Sequence, residues 1–264
     1  MQSTRQKAPG PIRPSDDRRR GTPPSGSMRR RSAVLEGRDL RARRRKGFRI
    51  GSKRFRLPVI HLCLPSWLRE FLRVQRRLVY PSRADRVRLV IEMSRLNVEH
   101  CTGGPFAAAV FNCRTKTLLA PGVNLVVGSR CSVAHAEIMA IMAAQRLAKH
   151  HDLGSGCGGD PVELVSSTEP CAMCQGAVTW AGISSLVYAA RGVDACRIGF
   201  DEGAKAPDWI RQFRRRGISV TGGVCRREAA AVLRDYRDRG GLVYNGFRSS
   251  SSSQPGSPRV RRTR

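Results

Sequence analysis

The sequence predicts an α/β domain: a mixed sheet of about five strands with helices on its faces. Three observations carry that expectation. Segments with helical spacing of apolar residues alternate with short apolar runs of strand length. The first two runs are joined by the turn-like "RTKT" and read as a hairpin. Hydrophobic residues make up 40% of the 264-residue chain, enough for one buried core.

Residues 1–56 are rich in Arg, Pro, Ser and Gly and end in "RARRRKGFRIGSKRFR". Few apolar groups offset the chain entropy there, so disorder is expected. From Leu57 the texture changes. "PSWLREFLRVQRRLVY" reads as a short helix outside the core, and "SRADRVRLVIEMSRLNVEHC" as a stronger one. In the latter Val87, Val90, Ile91, Met93 and Leu96 recur at steps of one face, and "GGP" ends it. "FAAAVFNC" and "LLAPGVNLVVG" read as the hairpin strands. A helix is expected from about His135 to His150, a strand in "VELVSST", a helix in "CAMCQGAVTWAG" and a strand in "SLVYAA". After a loop come a helix in "APDWIRQFRRRG", a strand in "ISVTGG", a helix in "CRREAAAVLRDYRDRG" and a short tail element, "LVYNGF". The Ser/Arg-rich "SSSSSQPGSPRVRRTR" reads as a disordered tail. The domain plan is therefore a basic extension over 1–56, one folded domain over 57–248 with a helical lead-in, and a tail over 249–264.

The formal net charge of +29 resembles a nucleic-acid signature. Its distribution weakens that reading. Residues 1–56 hold 19 Lys/Arg against 4 acids, and 249–264 add four arginines and no acid. More than half of the excess thus lies in the two extensions. Contact of the basic arm with nucleic acid is the less favoured reading of it, beside an extension with no part in the fold. No run approaches the roughly 18–20 apolar residues that span a bilayer, and the N-terminus lacks the apolar core of a secretory signal. The nine cysteines are an odd number without the spacing of a secreted framework, so a reducing, cytoplasmic setting fits best.

The chemistry concentrates in two places. "HAE" holds His135 and Glu137, and "EPCAMC" holds Cys171 and Cys174. Cysteines three apart on a helix put both sulfurs on one face, and Pro170 suits the first turn. A helix N-terminus favours the thiolate. Two thiolates and an imidazole supply three ligands to tetrahedral zinc and leave a fourth position for water, the pattern of a catalytic site. Glu137, two residues from His135, can flank the same metal only if the helix end meets it head-on. Each piece alone has a plainer reading: a C-x-x-C can be a redox pair, and a single histidine a satisfied core or surface residue. A structural site with two histidines would need His150 or His151, roughly 22 Å along the helix from His135.

The joint pattern H-x-E followed by P-C-x-x-C matches the known signature of zinc nucleobase deaminases. The sequence resembles the cytidine/deoxycytidylate deaminase superfamily, and within it the bacterial guanine deaminases, from about Leu64 to Phe247. The stretches that carry the resemblance are "GGPFAAAVF", "GVNLVV", "CSVAHAEIMA", "STEPCAMCQGAVTWAG" and "IGFDEG". It implies a three-layer α/β/α sandwich on a five-stranded mixed sheet. It implies one zinc per chain on His135, Cys171 and Cys174, with Glu137 moving protons and Glu202 as a second catalytic carboxylate. It also implies that Asn124 hydrogen-bonds the base, that Phe106 and Trp180 line the pocket, and that the protein is a homodimer. The plainer alternatives are a solvated acidic loop for Glu202, a turn for Asn124, and core roles for Phe106 and Trp180.

The function so implied is hydrolytic deamination of a purine base, guanine to xanthine and ammonia. A tRNA wobble adenosine deaminase shares both motif pieces, but "VDACRIGFDEG" stands where that family has a glycine- and alanine-rich segment. A nucleoside or cytosine deaminase is a further enzyme alternative. An RNA-binding protein with a zinc-stabilised domain is the alternative outside enzymes, and an intact Glu137 argues against it, because a structural zinc needs no proton shuttle.

Overall fold

The computed structural model describes residues 48–50, 53–55 and 60–246. The chain divides into two units, residues 1–59 and 60–264. In the first, β1 (Phe48–Ile50) pairs antiparallel with β2 (Lys53–Phe55), Arg49 opposite Arg54. These six residues lie in the segment expected to be disordered. The rest of that segment and the 249–264 tail lie outside the described residues.

The second unit begins with α1 (Ser66–Gln75) and α2 (Arg83–Glu99). Arg76, in the left-handed conformation, ends α1 earlier than its apolar spacing predicts. The chain then runs alongside the hairpin, with Leu118 N donating to Leu78 O and Tyr80 N to Lys116 O. The Ser82 hydroxyl caps α2 by accepting from Asp85 N at 3.0 Å. One face of α2 buries Val87, Val90, Ile91 and Met93.

The hairpin is β3 (Ala107–Asn112) and β4 (Leu118–Val123). The second strand stops before "NLVVG", which was expected to extend it. Val126–Ser129 is instead a short helix, α3. The Asn124 side chain accepts from Val126 N and Gly104 N, each at 3.3 Å, and so gives the turning backbone the partners that a strand would have offered.

The remaining order is α4 (Ala136–Ala148), α5 (Leu153–Gly156), β5 (Val162–Thr168), α6 (Ala172–Trp180), β6 (Ser185–Ala190), α7 (Gly192–Cys196), α8 (Trp209–Arg215), β7 (Ser219–Gly222) and α9 (Arg226–Asp238). The short α7 falls where a loop was expected. Asp194 stabilises its start by accepting from Arg191 N at 2.9 Å, and Arg226 clamps the same carboxylate at 2.8 and 2.9 Å.

The sheet order is β4-β3-β5-β6-β7, antiparallel across β4, β3 and β5 and parallel across β5, β6 and β7. This is the expected mixed five-stranded sheet. Both faces of β3 and β5 are buried, so neither strand alternates in polarity. One layer, with α2 and α9, packs on Ala107, Ala109 and Phe111; the other, with α4, α6 and α8, packs on Ala108 and Val110. The result is a three-layer α/β/α sandwich. α4 and α6 start at the C-terminal ends of β-strands, where ligands sit in open α/β sheets.

Candidate active site

His135 is the N-cap of α4, with extended backbone (φ −71°, ψ 156°), and Glu137 lies in the first turn. The helix end therefore meets the site head-on. Its close seat depends on Gly122: a Cβ there would lie 2.3 Å from Ala136 O and from Ala140 N. Only a glycine in β4 lets the helix backbone approach this far. Cys171 caps α6 and Cys174 sits in that helix's first turn.

The helix starts bring three donors together. Cys171 Sγ is 3.5 Å and Cys174 Sγ 3.7 Å from His135 Nδ1, and all three ligand atoms lie within 4.8 Å of one another. Zn–S and Zn–N bonds at tetrahedral angles imply an N···S separation of about 3.6 Å. Donor set and spacing thus fit zinc. Among the described residues this is the one cluster of three or more such ligands. His150 and His151 stack on each other beyond the far end of α4 and take no part.

The electrostatics are those of a buried anionic centre. The Cys171 thiol is pushed down to about 4, first by a hydrogen bond with Cys174, then by His135 against the cost of burial. Cys174 is driven in the opposite direction by the same bond and by burial. Glu137 is 6% exposed, and burial and the Cys171 charge raise its carboxyl above the ordinary carboxylate range. Its Oε1 accepts from Ser166 Oγ at 3.0 Å, and Cys174 Sγ lies 3.4 Å from its Oε2. Ser166, buried on β5, fixes the carboxyl's direction. It lies before the C-x-x-C motif in a run that reads only as a strand.

Glu202 lines the same cavity as His135, Glu137 and Cys171. Its carboxyl is pushed up to about 7, by burial first, while Lys205 opposes the rise and the charges of Cys171 and Glu137 add to it. Asn124 lines the cavity too, 7% exposed. Its Oδ1 accepts from two backbone N–H groups, so its amide Nδ2 is the group left for a ligand. Buried Asn97 donates to the carbonyls of Asn124 and Gly104 at 2.9 and 2.8 Å and locks this corner. A Cβ at Gly103 would sit 1.8 Å from Asn124 O, so that residue too must be glycine.

Phe106 lines the cavity and meets Phe200 edge-on at 4.9 Å between ring centroids. Trp180 does not line it. It stands at the C-terminal end of α6, a full helix away from Cys171, and is 85% exposed. In its place Phe200 and the segment after α9 complete the wall, through Leu242, Tyr244 and Asn245. Asn245 ties that segment down: its Oδ1 accepts from Asp201 N at 2.9 Å and its Nδ2 donates to Gly199 O at 3.0 Å. Residues 242–246 have no regular structure, and "LVYNGF" has no periodicity, so the sequence marked it only as a tail. The cavity measures about 180 Å³.

An α/β/α sandwich that brings a histidine, two cysteines and a carboxylate to helix starts around a small cavity is the architecture of a zinc hydrolase. The family model of the cytidine and deoxycytidylate deaminase zinc-binding region matches residues 83–190. NE0047, solved in complex with 2,6-diaminopurine, superimposes with a TM-score of 0.64 at 45% identity, over 70% of this chain and 96% of that one. The solved guanine deaminase from Nitrosomonas europaea superimposes with a TM-score of 0.64 at 44% identity, over 68% and 97%. The guanine deaminase of Bacillus subtilis (strain 168) is 38% identical over 100 residues, which span 38% of this chain and 59% of that enzyme. The chain belongs to the cytidine/deoxycytidylate deaminase family, a family of zinc-binding proteins.

Proposed function

We propose that the protein is a zinc-dependent purine-base deaminase that converts guanine and water to xanthine and ammonia. The observation that carries this reading is the placement of two buried carboxyls, Glu137 and Glu202, in one cavity beside the three-ligand cluster. Its support from relatives is that guanine deaminases are among them, and that NE0047 was solved with an aminated purine. A cavity of about 180 Å³ is small beside the roughly 300–1,000 Å³ of drug-sized sites, which suits a bare ring better than a nucleotide in a strand.

His135, Cys171 and Cys174 would hold the metal. Zinc, when bound there, supplies a Lewis acid that makes water a competent nucleophile at neutral pH. Glu137, aimed by Ser166, takes the proton of the attacking water and delivers it to the departing amine. Glu202 faces the same space and pairs with ring N–H groups or passes the second proton. The Asn124 amide donates to an acceptor on the ring, and Phe106 and Phe200 offer aromatic walls. Ammonia release from guanine, adenine, cytosine, their nucleosides and tRNA tests the reading. Turnover of guanine above the rest is expected, and preference for tRNA would overturn it.

We also propose a homodimer. Met142 and Leu147 on α4 and Met173 and Trp180 on α6 are exposed on two helices that pack together, and a second copy would cover them. A cytoplasmic setting accords with nine cysteines, none of them in a disulfide. Among the described residues no helix is long and apolar enough to cross a membrane.

A further inference from the structure

Glu202 stands on a stretch, residues 201–206, without regular structure. A functional carboxylate on such a stretch needs something rigid to aim it. Part of the support is backbone. Ala172 N, at the start of α6, donates to Glu202 O at 2.9 Å, and Gly203 N donates to Asp201 Oδ1 at 2.8 Å. Neither bond fixes the side chain.

Lys205 does. Its Nζ lies 3.4 Å from Glu202 Oε2 and 2.9 Å from Glu169 Oε1. Glu169 is anchored in turn: its Oε2 accepts from Gly192 N, at the start of α7, at 3.1 Å. The Lys205, Glu169 and Glu202 side chains are 16, 14 and 12% exposed. Among the described residues Lys205 is the one hydrogen-bond donor to the Glu202 carboxylate, and it holds only Oε2. Glu202 and Glu169 line the cavity and Lys205 does not, so the ammonium stands behind the two carboxylates and Oε1 is left to the ligand. A buried ammonium is costly unless it is paired, and this one is paired twice. The pairing also offsets negative charge where Glu202 shares the cavity with the Glu137 carboxyl.

We propose that Lys205 is a positioning residue for deamination: anchored on Glu169, it holds Oε2 of Glu202 and turns Oε1 toward the ring. This rests on the purine-deaminase reading of the same site. An ordinary structural ion pair is the competing account, and a double-mutant cycle separates the two. Lys205→Met keeps the alkyl stem and removes the ammonium. With zinc content and melting temperature as controls, it should lower kcat on guanine on the order of tenfold or more, part of what a general acid–base group contributes, with a smaller change in KM. In the Glu202→Gln background the same substitution should cost little further. A wild-type kcat for Lys205→Met, or the same fold-loss in both backgrounds, would overturn the proposal. Should Lys205→Met fail to hold zinc, Lys205→Met combined with Glu169→Gln removes the stranded charge and carries the same comparison. If the wild type proves inactive on guanine, the proposed reaction fails. The placement of Lys205 is then read from the same cycle as affinity for 8-azaguanine, where additive losses would overturn it.

Discussion

Glu137 and Glu202 are two buried carboxyls with different supports, and the difference sets what each substitution should do. Glu137 is held by Ser166 beside the three-ligand cluster, and in the proposed reaction it serves any ring. Glu137→Gln should keep zinc and lose turnover by about 10²–10⁴-fold on every substrate, measured as ammonia release. Glu202→Gln should also keep zinc and lose guanine turnover far more than side activity on other aminated rings; near-normal guanine turnover would leave Glu202 without a catalytic role. Cys171→Ala should hold little zinc by elemental analysis, and full retention would remove that residue from the ligand set. Glu202 also titrates with folding. Its folded value of about 7 lies above the ordinary 4.5, so the folded chain keeps a proton that the unfolded chain releases between those values. Its contribution to stability is fully present below pH 4.5 and is lost as pH rises through 7. Without bound metal, the melting temperature of Glu202→Gln relative to wild type should therefore climb between pH 5 and 8. A gap that stays constant across that range would mean that folding does not raise the carboxyl.

At the scale of elements, the site depends on two helix starts held against the sheet. α4 can present His135 and Glu137 only because Gly122 in β4 admits its backbone. Gly122→Ala should push α4 off the strand, cost about 1–3 kcal/mol in denaturant unfolding as overpacking does, and weaken zinc binding. Unchanged zinc affinity with lowered stability would show that the helix start tolerates displacement. The periodicity of α2 and the alternation of strand and helix were legible in the sequence, because they are local patterns of side chains. The end of β4 and the existence of α7 were not. Each depends on a side chain, Asn124 or Asp194, that finds partners remote in sequence.

For the whole molecule, the 57–248 chain should keep the melting temperature and the guanine turnover of the full protein, since residues 1–56 and 249–264 carry charge but little apolar surface. A large loss of either would assign an extension to the fold. The exposed Trp180 belongs to this scale as well. Sedimentation should give twice the chain mass, and Trp180→Glu should shift it toward the monomer. A wild-type monomer would rule out the proposed homodimer.

By itself the sequence determined the sandwich class, the metal ligands as candidates, and Glu137 as their neighbour. Those features are written in short-range spacing: residues two or three apart at predicted helix starts, and apolar repeats of helical or strand length. Only the tertiary structure decided how the cavity closes. It placed Phe200 and the 242–245 segment on the wall and Trp180 on the surface. It put Ser166 behind Glu137 and Lys205 behind Glu202, and it set Asn124 in the cavity wall with its Oδ1 taken up by backbone. Lys205 and Glu202 are three apart on one irregular stretch, with Glu169 as the remote anchor; the other placements bring together residues on different elements. No local pattern records such a contact, because its partners come into reach only when the sheet and both helix layers have packed.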